Sequence, residues 1–135
     1  MTLSAADGNV ILKDNFAPWV QDLGLVVEEI GDRRAVLRLP WSDRLAREGG
    51  ALSGQALMAA ADTATVIAVS AARGAYVPMT TVQLSTTFQR PVVGADSLVA
   101  ARITKIGRTL AFADVEMTAD GAVAAHATTV YALLG

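Results

Sequence analysis

The sequence predicts an α+β fold in which a mainly antiparallel, curved sheet wraps around one long central helix, over about residues 53–73. Three observations lead there. Residues 53–72 hold no proline and a single early glycine among good helix formers. The second half of the chain falls into short β-branched and aliphatic runs parted by glycine turns. Residues 80–88 change character with a period of two, the signature of a sheet covered on one side. A chain of 135 residues with 53% hydrophobic content is long enough to bury a real core, and with no repeat, low-complexity stretch or internal boundary it reads as one domain over residues 1–135.

In order, residues 1–20 form an N-terminal arm. A short helix is expected within residues 15–23, where Pro18 restricts the start and Gly24 ends it. Residues 25–30 and 33–39 are strands joined through Gly31-Asp32, a tight hairpin turn. Residues 40–50 are polar, with paired glycines, and form a surface loop. The long helix follows and stops at Arg73-Gly74, a basic last turn and a glycine C-cap. Four strands come next, over 80–88, 97–106, 109–118 and 122–133, with Asp120-Gly121 as a two-residue hairpin signal. Within 80–88 the alternation puts Val82, Leu84 and Phe88 on the face toward the helix, and Thr81, Gln83, Ser85 and Thr87 on the other.

Composition excludes several classes of function. A net charge of −2 with dispersed basic residues leaves no footprint for a nucleic-acid backbone. With no cysteine there is no disulfide, thiolate metal site or thiol nucleophile. A lone His126 cannot build a metal cluster with a second histidine, and no Gly-x-Ser-x-Gly elbow, phosphate loop or dinucleotide fingerprint appears. Residues 51–72 have the length of a membrane span, but Gln55 and Asp62 fall inside it and alanine repays little of a midspan charge, so a buried helix is expected and no membrane partner. Residues 1–10 carry no basic residue, and Asp7 precedes the short apolar Val10-Ile11-Leu12. That is not a signal-peptide pattern, and the expected compartment is the cytoplasm.

Chemistry concentrates in the helix. Asp62 is the only ionisable side chain between Glu48 and Arg73, at the centre of the element expected to be most buried. A buried carboxylate must be paired, hydrogen-bonded or protonated. Gln55 and Thr65 fall on the same side of the helix and would make a narrow polar stripe with it, pointing at either a ligand or loop amides. Gly49, Gly50 and Gly54 bracket the helix start, where free N–H groups and the dipole favour negative charge. There Gly54 either lets a carbonyl oxygen reach the backbone or simply allows close packing. Arg90, Lys105 and Arg108 lie at strand ends, where they either meet carrier phosphates or stand as isolated solvated charges.

The run from Gly50 through Ser53-Gly54-Gln55 to Asp62-Thr63-Ala64 resembles the active-site helix of hot-dog-fold acyl-CoA thioesterases of the phenylacetate-degradation type. The resemblance continues through Thr81-Val82-Gln83-Leu84-Ser85, Phe88-Gln89-Arg90-Pro91, the turn at Lys105-Ile106-Gly107-Arg108 and the closing Asp120-Gly121, covering about residues 20–134. It implies hydrolysis of a short- or medium-chain or aromatic acyl-CoA, with no cofactor and no metal. It also implies a homodimer with shared active sites, commonly paired again into a homotetramer. Asp62 would be nucleophile or general base, and the Gly54 N–H of the other subunit the oxyanion donor. Thr81 would orient water, while Ser53, Gln55, Arg90 and Arg108 would contact substrate. Ser53 and Gln55 stand where the family usually has histidine and a second glycine, which motivates one alternative, an acyl-CoA-binding module without catalysis.

Overall fold

The computed structural model describes residues 2–135. Among these residues three helices and six strands run in the order α1 (Ala5–Asn15), α2 (Pro18–Gln21), β1 (Val26–Gly31), β2 (Arg34–Leu39), α3 (Gly54–Arg73), β3 (Met79–Phe88), β4 (Ser97–Ile106), β5 (Leu110–Ala119) and β6 (Ala122–Leu133). The strands form one antiparallel sheet, β1-β2-β4-β5-β6-β3, curved around α3 in the hot-dog arrangement.

Local chemistry accounts for the boundaries. The Ser53 hydroxyl caps α3 by accepting from the Ala56 N–H at 3.2 Å, and Gly74 ends it at φ 79° in the left-handed region. Asp120 and Gly121 both have positive φ, as a two-residue primed turn between β5 and β6 requires. The first hairpin turns one residue later than expected, at Asp32-Arg33, because Gly31 stays paired with Arg34. Length and composition would let α3 cross a bilayer, but most of it is buried in the domain. Ala60, Ala61, Ala64 and Ala68 are fully buried on the helix and let the sheet approach closely, against Leu37, Val99, Val115 and Met117. Burying each of those larger side chains contributes up to about 3 kcal/mol.

The N-terminal arm departs from expectation. A helix over residues 15–23 was expected, whereas the main helix lies earlier, at Ala5–Asn15, and only Pro18–Gln21 is helical in the expected stretch. The cause is a capping box. Ser4 accepts from the Asp7 N–H at 3.1 Å, while the Asp7 carboxylate accepts from the Ser4 N–H at 2.8 Å. Ile11 and Leu12 then enter the core. Asn9 joins this helix to the sheet edge, accepting from the Val27 N–H at 2.8 Å and donating to the Val27 carbonyl at 3.2 Å.

The second departure is in β3. Its pairing with β6 skips at Val82, between Thr81 and Gln83, so one residue bulges out and the side-chain phase shifts. Thr81, Leu84, Thr86 and Phe88 therefore share the inner face, and Val82 turns outward, 58% exposed. Simple alternation had placed Thr81 outside and Val82 inside.

Candidate active site

Two cavities flank α3. The first, about 230 Å³, is lined by Asn15, Phe16, Asp62, Val66, Tyr76, Met79, Thr80, Thr81 and Tyr131. Asp62 lines it and is only partly buried, where the expectation was full burial, because its side chain opens to this cavity. The Thr81 hydroxyl donates to Asp62 Oδ1 at 2.9 Å. The Tyr131 hydroxyl lies against the same Oδ1 and, at 3.0 Å, against the Asp62 backbone carbonyl. Thr81 and Tyr131 are direct cross-strand partners on β3 and β6, so one rung of the sheet supplies both hydroxyls. The bulge at Val82 makes this possible by aiming Thr81 inward.

Burial, then the adjacent Asp62 carboxylate and its hydrogen bond, push the Tyr131 phenol well above its ordinary range. Tyr131 therefore stays a neutral donor throughout the physiological range. It was missed in the sequence, where it reads as one more apolar member of a strand of Ala, Thr and Val. The polar stripe also differs from expectation. Gln55 is exposed on the Asp62 side, but Thr65 is fully buried and shares a 2.9 Å hydrogen bond with the Thr129 hydroxyl. At 100° per residue Thr65 rotates far enough from Asp62 to face β6 instead.

The second cavity, about 400 Å³, opens at the N-terminus of α3 and is lined by Arg47, Ala51, Leu52, Gly54, Leu57, Phe88, Gln89, Arg90, Pro91 and Val92. Gly54 faces the Phe88 ring so closely that a Cβ there would lie 3.3 Å from it. Arg90 joins Gly54 here, and Arg47 adds a second guanidinium beside the helix dipole. Ser53 adjoins this cavity as the helix cap. Arg108 is at the other end of α3, where Arg73 donates to the Gly107 carbonyl at 2.8 Å and more loosely to that of Arg108, and it lines neither cavity.

Within one chain, then, Asp62, Thr81 and Tyr131 come together and Gly54 and Arg90 come together. The two groups are separated by roughly 12 Å along α3 at 1.5 Å per residue. The arrangement offers a carboxylate held by two hydroxyls in one place and backbone N–H groups with cations in the other. Among the described residues no group of three or more His, Asp and Glu side chains converges to hold a metal.

The sequence profile of the thioesterase superfamily matches residues 49–125, which span α3 and most of the sheet. No curated protein matches the chain in sequence. Several solved structures match its fold. A phenylacetic acid degradation protein, PaaI, from Thermus thermophilus is 26% identical, with a TM-score of 0.78 over 87% of this chain and 100% of that one. A conserved protein from Pseudomonas aeruginosa is 24% identical, with a TM-score of 0.83 over 88% and 95%. A thioesterase from Haemophilus influenzae is 16% identical and has the same fold, with a TM-score of 0.88 over 100% and 93%.

Proposed function

Because the chain belongs to the thioesterase superfamily, we propose that it hydrolyses a short- or medium-chain or aromatic acyl-CoA to the free acid and CoA. The observation that carries this reading is the Asp62 carboxylate, held by Thr81 and Tyr131 in the wall of a partly apolar cavity. In the overall reaction a C–O bond to water oxygen forms, the C–S bond breaks, and the protons of water end on the acid and the thiol. A thiolate is a good leaving group, so a carboxylate acting as nucleophile or general base, with aligned N–H donors for the oxyanion, supplies the chemistry without a triad.

The separation of Asp62 from Gly54 supports a homodimer in which each site takes Asp62 from one subunit and the Gly54 N–H from the other, with dimers pairing into a tetramer. Arg90 and Arg47 suit the phosphates of the carrier. Ser53 serves this site by holding the helix start, and Gln55, exposed one helical face away from Gly54, is free to meet substrate. Thiol release from acetyl- through palmitoyl-, phenylacetyl- and benzoyl-CoA tests the proposal. The expected outcome is clear wild-type turnover of at least one ester and its loss, by at least about 10³-fold, in Asp62→Asn. Full activity in Asp62→Asn overturns it.

A second reading has one observation in its favour: the Phe88 ring packs against Gly54 at the start of α3, within 3.3 Å of where a Cβ would sit, and so crowds the helix start that would meet an oxyanion. A non-catalytic acyl-CoA-binding module would bind CoA esters with no thiol release from any of them.

A further inference from the structure

The two hydroxyls at Asp62 converge on one oxygen. Thr81 donates to Oδ1 at 2.9 Å, and Tyr131 is hydrogen-bonded to the same atom. Among the described residues no protein donor reaches Oδ2. Tyr131 is 3% exposed, and its hydroxyl also touches the Asp62 backbone carbonyl, so the same phenol ties both the side chain and the helix turn that carries it to β6. Among the described residues, Tyr76 is the only other titratable or charged group that lines the cavity, and no lysine or arginine does. The carboxylate is thus oriented by two neutral donors and by no cation.

We propose that Tyr131 is a positioning residue for the reaction. Together with Thr81 it pins Oδ1 and fixes the carboxylate plane, leaving Oδ2 as the oxygen presented to the thioester or to the attacking water. A carboxylate free to rotate about χ2 would offer either oxygen in many orientations, and misplacement of a reacting atom by about 1 Å costs up to roughly 10²-fold in rate. The inference rests on the proposed role of Asp62, and it gives Thr81 a second task, orienting the carboxylate as well as water. Tyr131 lies in the last strand, 69 positions from Asp62, and nothing but the folded sheet brings them together.

Tyr131→Phe keeps the ring and removes the hydroxyl. The expected result is a folded protein whose kcat falls by about 10- to 100-fold while KM changes by less than about threefold. Thr81→Val should act the same way. Because both hydroxyls serve one oxygen, the double variant should be about as slow as the slower single one, whereas independent structural effects would multiply. Unchanged kcat in Tyr131→Phe, or multiplicative losses in the double variant, overturns the inference, while full activity in Asp62→Asn overturns the functional reading beneath it. Proton NMR tests the contact apart from activity. A downfield hydroxyl resonance that vanishes in Tyr131→Phe should move upfield in Asp62→Asn, where a charge-assisted bond becomes a neutral one. A resonance indifferent to Asp62→Asn, or no such resonance in the wild type, also overturns the inference.

Discussion

At the scale of single residues, what was legible depended on how far apart in the chain the partners lie. Asp62 stands out because an isolated carboxylate in an apolar helix demands an explanation, and Thr81 came with the family resemblance. Tyr131 could not be found that way, since a tyrosine in a strand is ordinary core material until the carboxylate beside its hydroxyl is seen. Its surroundings also set a pH dependence. The phenol is raised above its ordinary value in the folded protein, so its contribution to stability is complete below pH about 10 and is lost as pH climbs beyond it. In that range the unfolded chain releases a proton that the folded one retains. Urea denaturation at pH 9 and pH 11 should show wild-type stability dropping more steeply than that of Tyr131→Phe. Equal slopes would mean that Tyr131 ionises as readily folded as unfolded.

At the scale of elements, boundaries set by caps and turns could be read and those set by packing could not. The long helix, its serine cap and glycine stop, and the Asp120-Gly121 turn all follow from local chemistry. The bulge at Val82 does not, because the residues around it alternate normally and only pairing with β6 imposes the slip. The signal for α1 was present as Ser4 and Asp7, three residues apart, but its low overall hydrophobicity hid it. That helix docks through a glycine. A Cβ at Gly8 would meet Val27 and Ile30 side-chain atoms at 3.0–3.1 Å. Alanine would gain up to about 1 kcal/mol of helix propensity, yet the contacts are with the buried Val27 and the partly buried Ile30 packed beside it, and overpacking typically costs about 1–3 kcal/mol. Gly8→Ala should therefore lower the melting temperature by a few degrees despite its better helix propensity, and a rise would show that α1 rides loosely on β1.

At the scale of the molecule, the two edges of the sheet are treated differently. β1 is guarded, since Asn9 occupies the Val27 N–H and carbonyl. β3 is bare, with Val82 and Phe88 58% and 47% exposed on its two faces. An unprotected edge of this kind invites a partner strand, and it borders both halves of the proposed site. If the proposed dimer forms through this edge, Val82→Lys should shift it toward monomer in light scattering and reduce thiol release along with it. A dimer unaffected by the lysine would place the subunit contact elsewhere. The architecture of helix and wrapped sheet could be read from periodicity, but the neighbour of β3 could not, because nothing local says that a strand will pair with the last one rather than the next.

That strand order carries a consequence for how the protein is made. Met79 pairs with Leu133 and Phe88 with Ala125, so β3 emerges from the ribosome before β6, the strand of its own chain that pairs with it. During synthesis the guarded edge and the first hairpin can assemble while β3 waits unpaired, its apolar residues open to chaperones or to other nascent chains. Tyr131 arrives with the same late strand. Zipping β6 against β3 therefore completes the sheet and the Asp62 cluster in one step, so a polypeptide stalled before that strand lacks both.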